Sequence, residues 1–145
     1  KEIVLTSFVE GDLPPIPIDG TAILQVLLNV LKNAIDASPS KTGKVSIDVT
    51  SDLESECIKI NIVDNGSGIE EENREEVFRA FHTTKGQKGT GLGLAVARKI
   101  IHEHLGSIEL LSIYGGGTAC QIVLPLCVEG DPSDTRGPET VTQGV

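Results

Sequence analysis

The segment from Gln25 to Ser38, QVLLNVLKNAIDAS, constrains the fold more than any other part of the chain. Apolar residues recur here with the period of an α-helix, and at about 100° per residue they fall on one broad arc. A narrow polar stripe lies beside the arc. The segment therefore predicts an amphipathic helix whose apolar side packs on a core. The arc comprises Ile23, Val26, Leu27, Val30, Leu31 and Ala34, and the stripe comprises Gln25, Asn29, Asn33 and Asp36.

The polar stripe differs from an ordinary solvated helix face, which is usually rich in Lys and Glu. It holds short amides and one carboxylate among apolar neighbours. Half-buried amides need hydrogen-bonding partners, and a metal ion with the phosphates it carries would be such a partner. A simple polar edge is the alternative, and the helix by itself does not decide between the two.

Residues on either side of this helix set its limits. Asp19 is a suitable N-cap, because its carboxylate can accept hydrogen bonds from the first free N–H groups of the helix. Pro39 disfavours helical geometry in the residue before it, so the helix is expected to end near Ser38.

The composition of the chain excludes several functional classes. The 145 residues, 39% of them hydrophobic, suit one domain with its own core. The net charge of −9 argues against a nucleic-acid surface. No apolar run approaches the roughly 20 residues of a membrane span and no signal peptide is visible, so direct membrane contact is not expected. The spacing of Cys57, Cys120 and Cys127 suits neither a zinc site nor a disulfide framework, which favours a cytoplasmic setting.

Strand-like runs are interspersed with helical segments along the chain. Further helices are expected at Glu70–Phe81 and Leu92–Leu105, and residues 128–145 are expected to form a disordered tail or linker after a domain of residues 1–127. Neighbouring strands are expected to be joined by hairpins. The pattern predicts a two-layer α/β sandwich with a mixed, mostly antiparallel sheet and three helices on one face. The predicted strands are Glu2–Phe8, Val45–Thr50, Cys57–Val63, Ser107–Ile113 and Thr118–Leu124.

A carboxylate and two glycines, within the sequence DNGSGI from Asp64 to Ile69, follow the third predicted strand. A carboxylate at a strand end can accept a hydrogen bond from an exocyclic amine, such as the amino group of adenine. Gly66 and Gly68 carry no side chain that would block a flat ring. The alternative is a plain β-turn, because Asp-Asn-Gly is a common turn sequence.

A glycine-rich segment, HTTKGQKGTG from His82 to Gly91, precedes the last predicted helix. It lacks large apolar side chains and is expected to be mobile. Unshielded N–H groups at a helix N-terminus bind phosphate, and Lys85 and Lys88 add positive charge in the same segment. Glycine in a first helical turn costs up to about 1 kcal/mol, so Gly91 and Gly93 indicate a close approach. A flexible surface loop is the alternative, and no Walker A or dinucleotide-binding motif is present.

Two histidines in the last predicted helix, His102 and His104, do not form a metal site. Residues two apart on a helix point about 200° away from each other and cannot hold one ion together. We therefore interpret them as ordinary surface or interface histidines.

Five short motifs follow one another along the chain: NVLKNA at 29–34, DNGSG at 64–68, FRAF at 78–81, GTGLGL at 89–94 and GGGT at 115–118. In this order they resemble the N, G1, F, G2 and G3 boxes of the ATP-binding catalytic domain of sensor histidine kinases. This domain has the Bergerat fold, which DNA gyrase, mismatch-repair ATPases and the large heat-shock chaperones share. The resemblance spans roughly residues 1–126. Ala80 replaces the usual Pro, and the sequence His-Leu-Gly at 104–106 replaces the common His-Gly-Gly.

The resemblance implies ATP and Mg²⁺ as cofactors. Asn33 would be the metal ligand, and Asn29 would contact the phosphates or the ligands of the metal; these two form the catalytic pair. Asp64 would bind the adenine amino group, with help from Thr118 through water. Phe78 and Phe81 would anchor an ATP lid. The complete set of expected cofactor-binding residues is Asn29, Asn33, Asp36, Asp64, Gly66, Gly68, Ile69, Lys85, Gly89, Thr90, Gly91, Leu92, Gly93, Leu94 and Thr118.

The activity that the resemblance implies is phosphoryl transfer from ATP to a histidine of a separate dimerisation and phosphoacceptor domain in the same protein. A response regulator would be the downstream partner, and the full-length protein would be a homodimer. The alternatives are an ATP-hydrolysing clamp of the gyrase or chaperone type, a serine-directed kinase, and an interaction module without nucleotide binding. Hydrolysing relatives have Glu where Asn29 stands, and an amide is not a competent base near neutral pH.

Overall fold

The computed structural model describes residues 1–80 and 91–126. The tail at 128–145, and with it the predicted domain end at residue 127, lies outside these residues, as do positions 81–90. Within the described residues the secondary structure consists of β1 (Ile3–Val9), α1 (Gly20–Ala37), β2 (Gly43–Asp52), β3 (Cys57–Asp64), α2 (Gly93–Glu103), β4 (Ser107–Ser112), β5 (Thr118–Pro125) and two 3₁₀ turns at Glu71–Asn73 and Glu76–Phe78.

The five strands form one mixed sheet in the order β1-β2-β3-β5-β4. Pairing is antiparallel except between β1 and β2, which are parallel. The predicted hairpins β2–β3 and β4–β5 are confirmed. The expectation that hairpins join neighbouring strands was wrong for two pairs. The parallel strands β1 and β2 need a crossover, which α1 provides, and β3 is connected to β5 through α2 and β4. The predicted fold class, a two-layer α/β sandwich with a mixed, mostly antiparallel sheet, is confirmed.

The core lies between one face of the sheet and the two α-helices. The strand register aligns Ile47, Ile62, Cys120 and Leu110 in one row across four strands, which shows that these side chains share the helix-facing side. Helix α1 contributes its predicted apolar arc: Ile23, Val26, Val30 and Ala34 are buried, and Leu27 and Leu31 pack against them.

The limits of α1 follow the local signals in the sequence. The Asp19 carboxylate accepts hydrogen bonds from the backbone N–H groups of Thr21 and Ala22, at 3.0 and 3.1 Å. The helix ends at Ala37, and the buried Ser38 hydroxyl donates to the carbonyl oxygen of Ala34 at 2.8 Å. Asp19 as N-cap and a stop at Ser38 are therefore confirmed.

The expected helix at Glu70–Phe81 was wrong in its form. The chain makes two short 3₁₀ turns, and Arg79 is extended, with ψ 140°. Glutamates four residues apart, Glu71 with Glu75 and Glu72 with Glu76, would repel each other on an α-helix. Two separate turns relieve this repulsion and still bury Phe78.

Helix α2 begins at Gly93 and ends in a Schellman motif. The N–H of Gly106 donates to the carbonyl of Ile101 at 2.9 Å, and the N–H of Leu105 donates to that of His102 at 3.0 Å. Leu105 occupies the left-handed position, with φ 59°, where glycine is usual. Gly106 cannot carry a side chain, because a Cβ there would lie 2.3 Å from the carbonyl oxygen of Val123.

None of the helices in the described ranges is long and apolar enough to cross a membrane.

Candidate functional site

Asp64 lies at the end of β3 on the helix-facing side of the sheet. The strand register pairs Asp64 with Val45 of β2 on one side and with Thr118 of β5 on the other, and Thr118 in turn with Ser112 of β4. Only 7% of the residue is exposed. Burial raises the pKa of this carboxyl above its usual value, and backbone hydrogen bonds from Gly66 and Thr118 oppose that shift. The Gly66 N–H donates to Oδ1 at 2.8 Å, so the carboxylate is held in one orientation.

Close backbone packing surrounds Asp64. A Cβ on Gly117 would lie 2.1 Å from the carbonyl oxygen of Asp64, and φ at Gly117 is +108°. A Cβ on Gly66 would lie 2.5 Å from the carbonyl oxygen of Ala37 at the end of α1. Gly68 has φ +79° and faces Gly117. These glycines are thus required by contacts between three backbone segments, in addition to any space they leave for a ring.

Two side chains, which together make three hydrogen bonds, fix the loop after Asp64. Asn65 accepts from the N–H of Lys44 at 2.7 Å and donates to the carbonyl of Thr42 at 2.9 Å. The Ser112 hydroxyl donates to the carbonyl oxygen of Ile69. Ile69, half-buried, is thereby tied to the end of β4. The sequence contained no signal for the Asn65 and Ser112 contacts, because both depend on residues distant along the chain.

One amide of the polar stripe on α1 contacts the beginning of α2. The Asn29 amide nitrogen donates to the carbonyl oxygen of Gly93 at 3.1 Å. Asn33, one turn later, is half-buried, and Asp36 is exposed. Asn29 is therefore a contact between helices as well as a member of the predicted phosphate-binding set.

The two glycines at the N-terminus of α2, Gly91 and Gly93, differ in how strongly the backbone requires glycine. Gly91 has φ 66°, a conformation that favours glycine. Leu92 stands at the N-cap and provides no side-chain hydrogen bond to the helix. Gly93 is less restricted than expected, since a Cβ there would meet Asn29 only at 3.7 Å, an ordinary contact. Leu94 packs against the core.

The structure brings the predicted residues together in two groups joined by α1. Asp64, Gly66, Gly68, Ile69 and Thr118 surround the end of β3, and Gly66 touches Ala37 at the end of α1. The second group lies two turns earlier on the same helix, where the Asn29 side chain donates to the carbonyl oxygen of Gly93. Asn33 lies between the two groups on α1. The predicted residues Lys85, Gly89 and Thr90 lie outside the described residues, as does Phe81.

Arg98 on α2 holds the 3₁₀ segment, a role for which the sequence gave no indication. Its guanidinium carbon lies 4.9 Å from the centre of the buried Phe78 ring. It also pairs with Glu75 at 2.9 Å. The predicted anchor residue Phe78 is therefore fixed between the core and a cation.

Comparison with known proteins identifies the family. A sequence profile described as "Histidine kinase-, DNA gyrase B-, and HSP90-like ATPase" matches residues 18–128. The chain belongs to this family.

Curated relatives of this ATPase domain include sensor kinases. It is 39% identical over 115 residues to sporulation kinase E of Bacillus subtilis, and 38% identical over 125 residues to the signal transduction histidine-protein kinase AtoS of Escherichia coli. These alignments cover 79% and 86% of the chain, but only 15% and 20% of the two relatives. The domain therefore corresponds to a small part of each relative.

Solved structures of histidine kinases share the fold of this ATPase domain. The catalytic domain of the histidine kinase ThkA has a TM-score of 0.75 at 33% identity, covering 86% of this chain and 80% of that one. Full-length ShkA, in complex with AMPPNP, has a TM-score of 0.76 at 25% identity and covers 87% of this chain and 26% of that one. The family membership and the Bergerat fold that the motifs implied are confirmed.

Proposed function

We propose that this ATPase domain binds ATP with Mg²⁺ and transfers the γ-phosphate to a histidine of a separate dimerisation and phosphoacceptor domain of the same protein. The observation that carries the proposal is the buried carboxylate of Asp64, which is oriented by two backbone N–H groups at the end of a strand. A carboxylate in such a place is stabilised by a donor such as the adenine amino group. ShkA, a structural neighbour, was solved with an ATP analogue.

The adenine end of the proposed site lies at the end of β3. Asp64 accepts from the adenine amino group, Thr118 assists through a water molecule, and Gly66, Gly68 and Ile69 line the ring. The glycine contacts support this role, because they hold the Asp64 loop against α1 and against Gly117 without side chains.

The phosphate end of the proposed site lies where α1 meets α2. Asn29, Asn33 and Asp36 belong to the polar stripe of α1. From Ala37, beside the adenine end, to Asn29 the helix rises by about 12 Å, which suits the length of a nucleoside triphosphate. The residues proposed to contact phosphate at the start of α2 are Gly91, Leu92, Gly93 and Leu94, together with Lys85, Gly89 and Thr90 of the segment before it.

Mg²⁺ would be held by Asn33 and by the nucleotide. The amide oxygen of Asn33 is the kind of hard ligand that Mg²⁺ accepts, and this ion usually keeps waters and substrate phosphates in its coordination sphere. Among residues 1–80 and 91–126, no group of three or more His, Cys, Asp or Glu could hold a metal ion. Bound Mg²⁺ would supply charge neutralisation at the phosphates, and its binding is expected to depend on the nucleotide.

The phosphoacceptor is proposed to lie in another domain, and a cytoplasmic response regulator would be the downstream partner. His104 is unsuitable as an acceptor, because both of its ring nitrogens are engaged within the domain. Hydrolysis is a weaker candidate function, since the amide of Asn29 is no base and donates to Gly93. Robust ATPase activity of the isolated domain would reverse this order.

Nucleotide titration of the chain tests the binding site. Tyr114 is the only tyrosine and there is no tryptophan, so intrinsic fluorescence reports on one residue, which lies close to Gly117. Asp64→Asn and Asn33→Asp should each weaken ATP binding in fluorescence and in calorimetry, with Asp12→Asn, a change in an exposed turn, as the matched control. Unchanged affinity in both site variants would refute the assignment.

A further inference from the structure

His104 joins the C-terminal end of α2 to the N-terminal end of α1. Its Nε2 accepts a hydrogen bond from the backbone N–H of Asp19 at 3.0 Å. Its Nδ1 lies 2.7 Å from the carbonyl oxygen of Ile100, which can only accept. Both contacts are satisfied by one form of the ring, the neutral tautomer with its proton on Nδ1.

This contact has a counterpart at the other end of the helix pair. The Asn29 side chain of α1 donates to the first residue of α2, Gly93. The two helices are therefore antiparallel and are tied twice, with buried apolar residues such as Val26 and Ala97 between the ties. Both ties contribute to the position of α2 along α1, because hydrogen bonds are directional whereas hydrophobic attraction is not.

The adenine end and the phosphate end of the proposed nucleotide site depend differently on the position of α2. Asp64 and Thr118 belong to the sheet and are fixed by strand pairing. Gly93 belongs to α2, so a shift of α2 against α1 changes the distance from Asn29 to the α2 backbone. Only the phosphate end should register such a shift.

We infer that His104 is a positioning residue for phosphate binding, which acts by holding α2 in register with α1. The inference rests on the proposed nucleotide-binding function. A purely structural role for His104 makes a different prediction, because general loosening of the domain would weaken the adenine and phosphate contacts alike.

Two substitutions distinguish the roles of the two ring nitrogens of His104. In His104→Gln the side-chain oxygen can reach the position of Nε2 and accept from Asp19. In His104→Asn the amide can reach the position of Nδ1 and donate to Ile100, but the contact with Asp19 is lost. His102→Asn, at an exposed position on the same helix, is the matched control.

Calorimetry measures the dissociation constants of AMP and of ATP–Mg²⁺. The AMP constant divided by the ATP–Mg²⁺ constant gives the factor by which the added phosphates improve affinity. Wild type, His102→Asn and His104→Gln should show the same ratio of the two dissociation constants. His104→Asn should lower that ratio by about three- to tenfold, the range expected for one lost hydrogen bond, while the AMP affinity stays unchanged.

Three outcomes would overturn the inference: an unchanged ratio in His104→Asn, an equal loss of AMP and ATP affinity, or failure of both His104 variants to fold. The last outcome would make His104 a folding determinant. Absence of nucleotide binding by the wild-type domain would instead refute the proposed function itself.

Discussion

The glycines of the β4–β5 turn allow a direct test of the packing around Asp64. Gly115 and Gly117 both have positive φ, at +92° and +108°, so alanine at either position adopts an unfavourable backbone conformation. A Cβ on Gly115 meets nothing within 4 Å, whereas a Cβ on Gly117 would lie 2.1 Å from the Asp64 carbonyl oxygen and 3.2 Å from the Asn65 Cα. The pair therefore separates conformational strain from steric overlap.

The expected magnitudes follow from these two terms. Strain alone should cost Gly115→Ala roughly 1–2 kcal/mol of unfolding free energy. Gly117→Ala should lose a further 1–3 kcal/mol, because backbone has to move to remove the overlap. The moving backbone is that of Asp64, so Gly117→Ala should also weaken ATP binding, whereas Gly115→Ala should not.

Urea denaturation followed by circular dichroism measures the stabilities, and calorimetry measures nucleotide affinity. Equal stability losses in the two variants would refute the argument that overlap with Asp64 requires glycine at position 117. A Gly117→Ala domain that is destabilised but keeps full ATP affinity would separate the packing of the loop from the proposed adenine contact.

Three further predictions concern other parts of the domain. Because burial raises the pKa of the Asp64 carboxyl in the folded state, its ionisation costs stability as pH rises through the unfolded value and then the folded one. Asp64→Asn should therefore be at least as stable as wild type near neutral pH and lose this advantage in acid, which urea melts at several pH values measure. Its ATP affinity, measured by calorimetry, should fall roughly 10- to 100-fold. Leu105 has φ 59°, so Leu105→Val should lower the free energy of unfolding by roughly 1 kcal/mol, whereas Leu105→Gly should be at least as stable as wild type. Thermal melts measure both variants, and a Val variant as stable as wild type would contradict the left-handed conformation. Arg98→Ala should cost about 1 kcal/mol through lost contact with Phe78, and Glu75→Gln, at a largely exposed position, less than about 0.5 kcal/mol; the reverse order in urea melts would assign the stabilisation to the ion pair.

Local patterns in the sequence predicted most of the fold. The apolar period of α1, the cap at Asp19, the stop before Pro39 and the alternating strands all depend on residues within a few positions of one another. The helix prediction for the Glu-rich segment after Asp64 was wrong, because two 3₁₀ turns reduce the repulsion between neighbouring glutamates and also bury Phe78, and that burial depends on tertiary contacts. The parallel pairing of β1 with β2 also could not be read from local patterns, since it depends on where α1 returns the chain.

The candidate site shows the same division between local and long-range information. The sequence by itself determined the residue types: the amide stripe with Asn29 and Asn33, the carboxylate at a strand end, and the glycines that five ordered motifs contain. Only the tertiary structure decided their partners, which are residues far apart along the chain. The Asn29 side chain donates to the carbonyl oxygen of Gly93, the backbone of Asp64 packs against Gly117, and the backbone N–H of Asp19 donates to His104. A sequence pattern records how residues repeat along one element, whereas the contacts that orient a buried polar group form only when separate elements pack together.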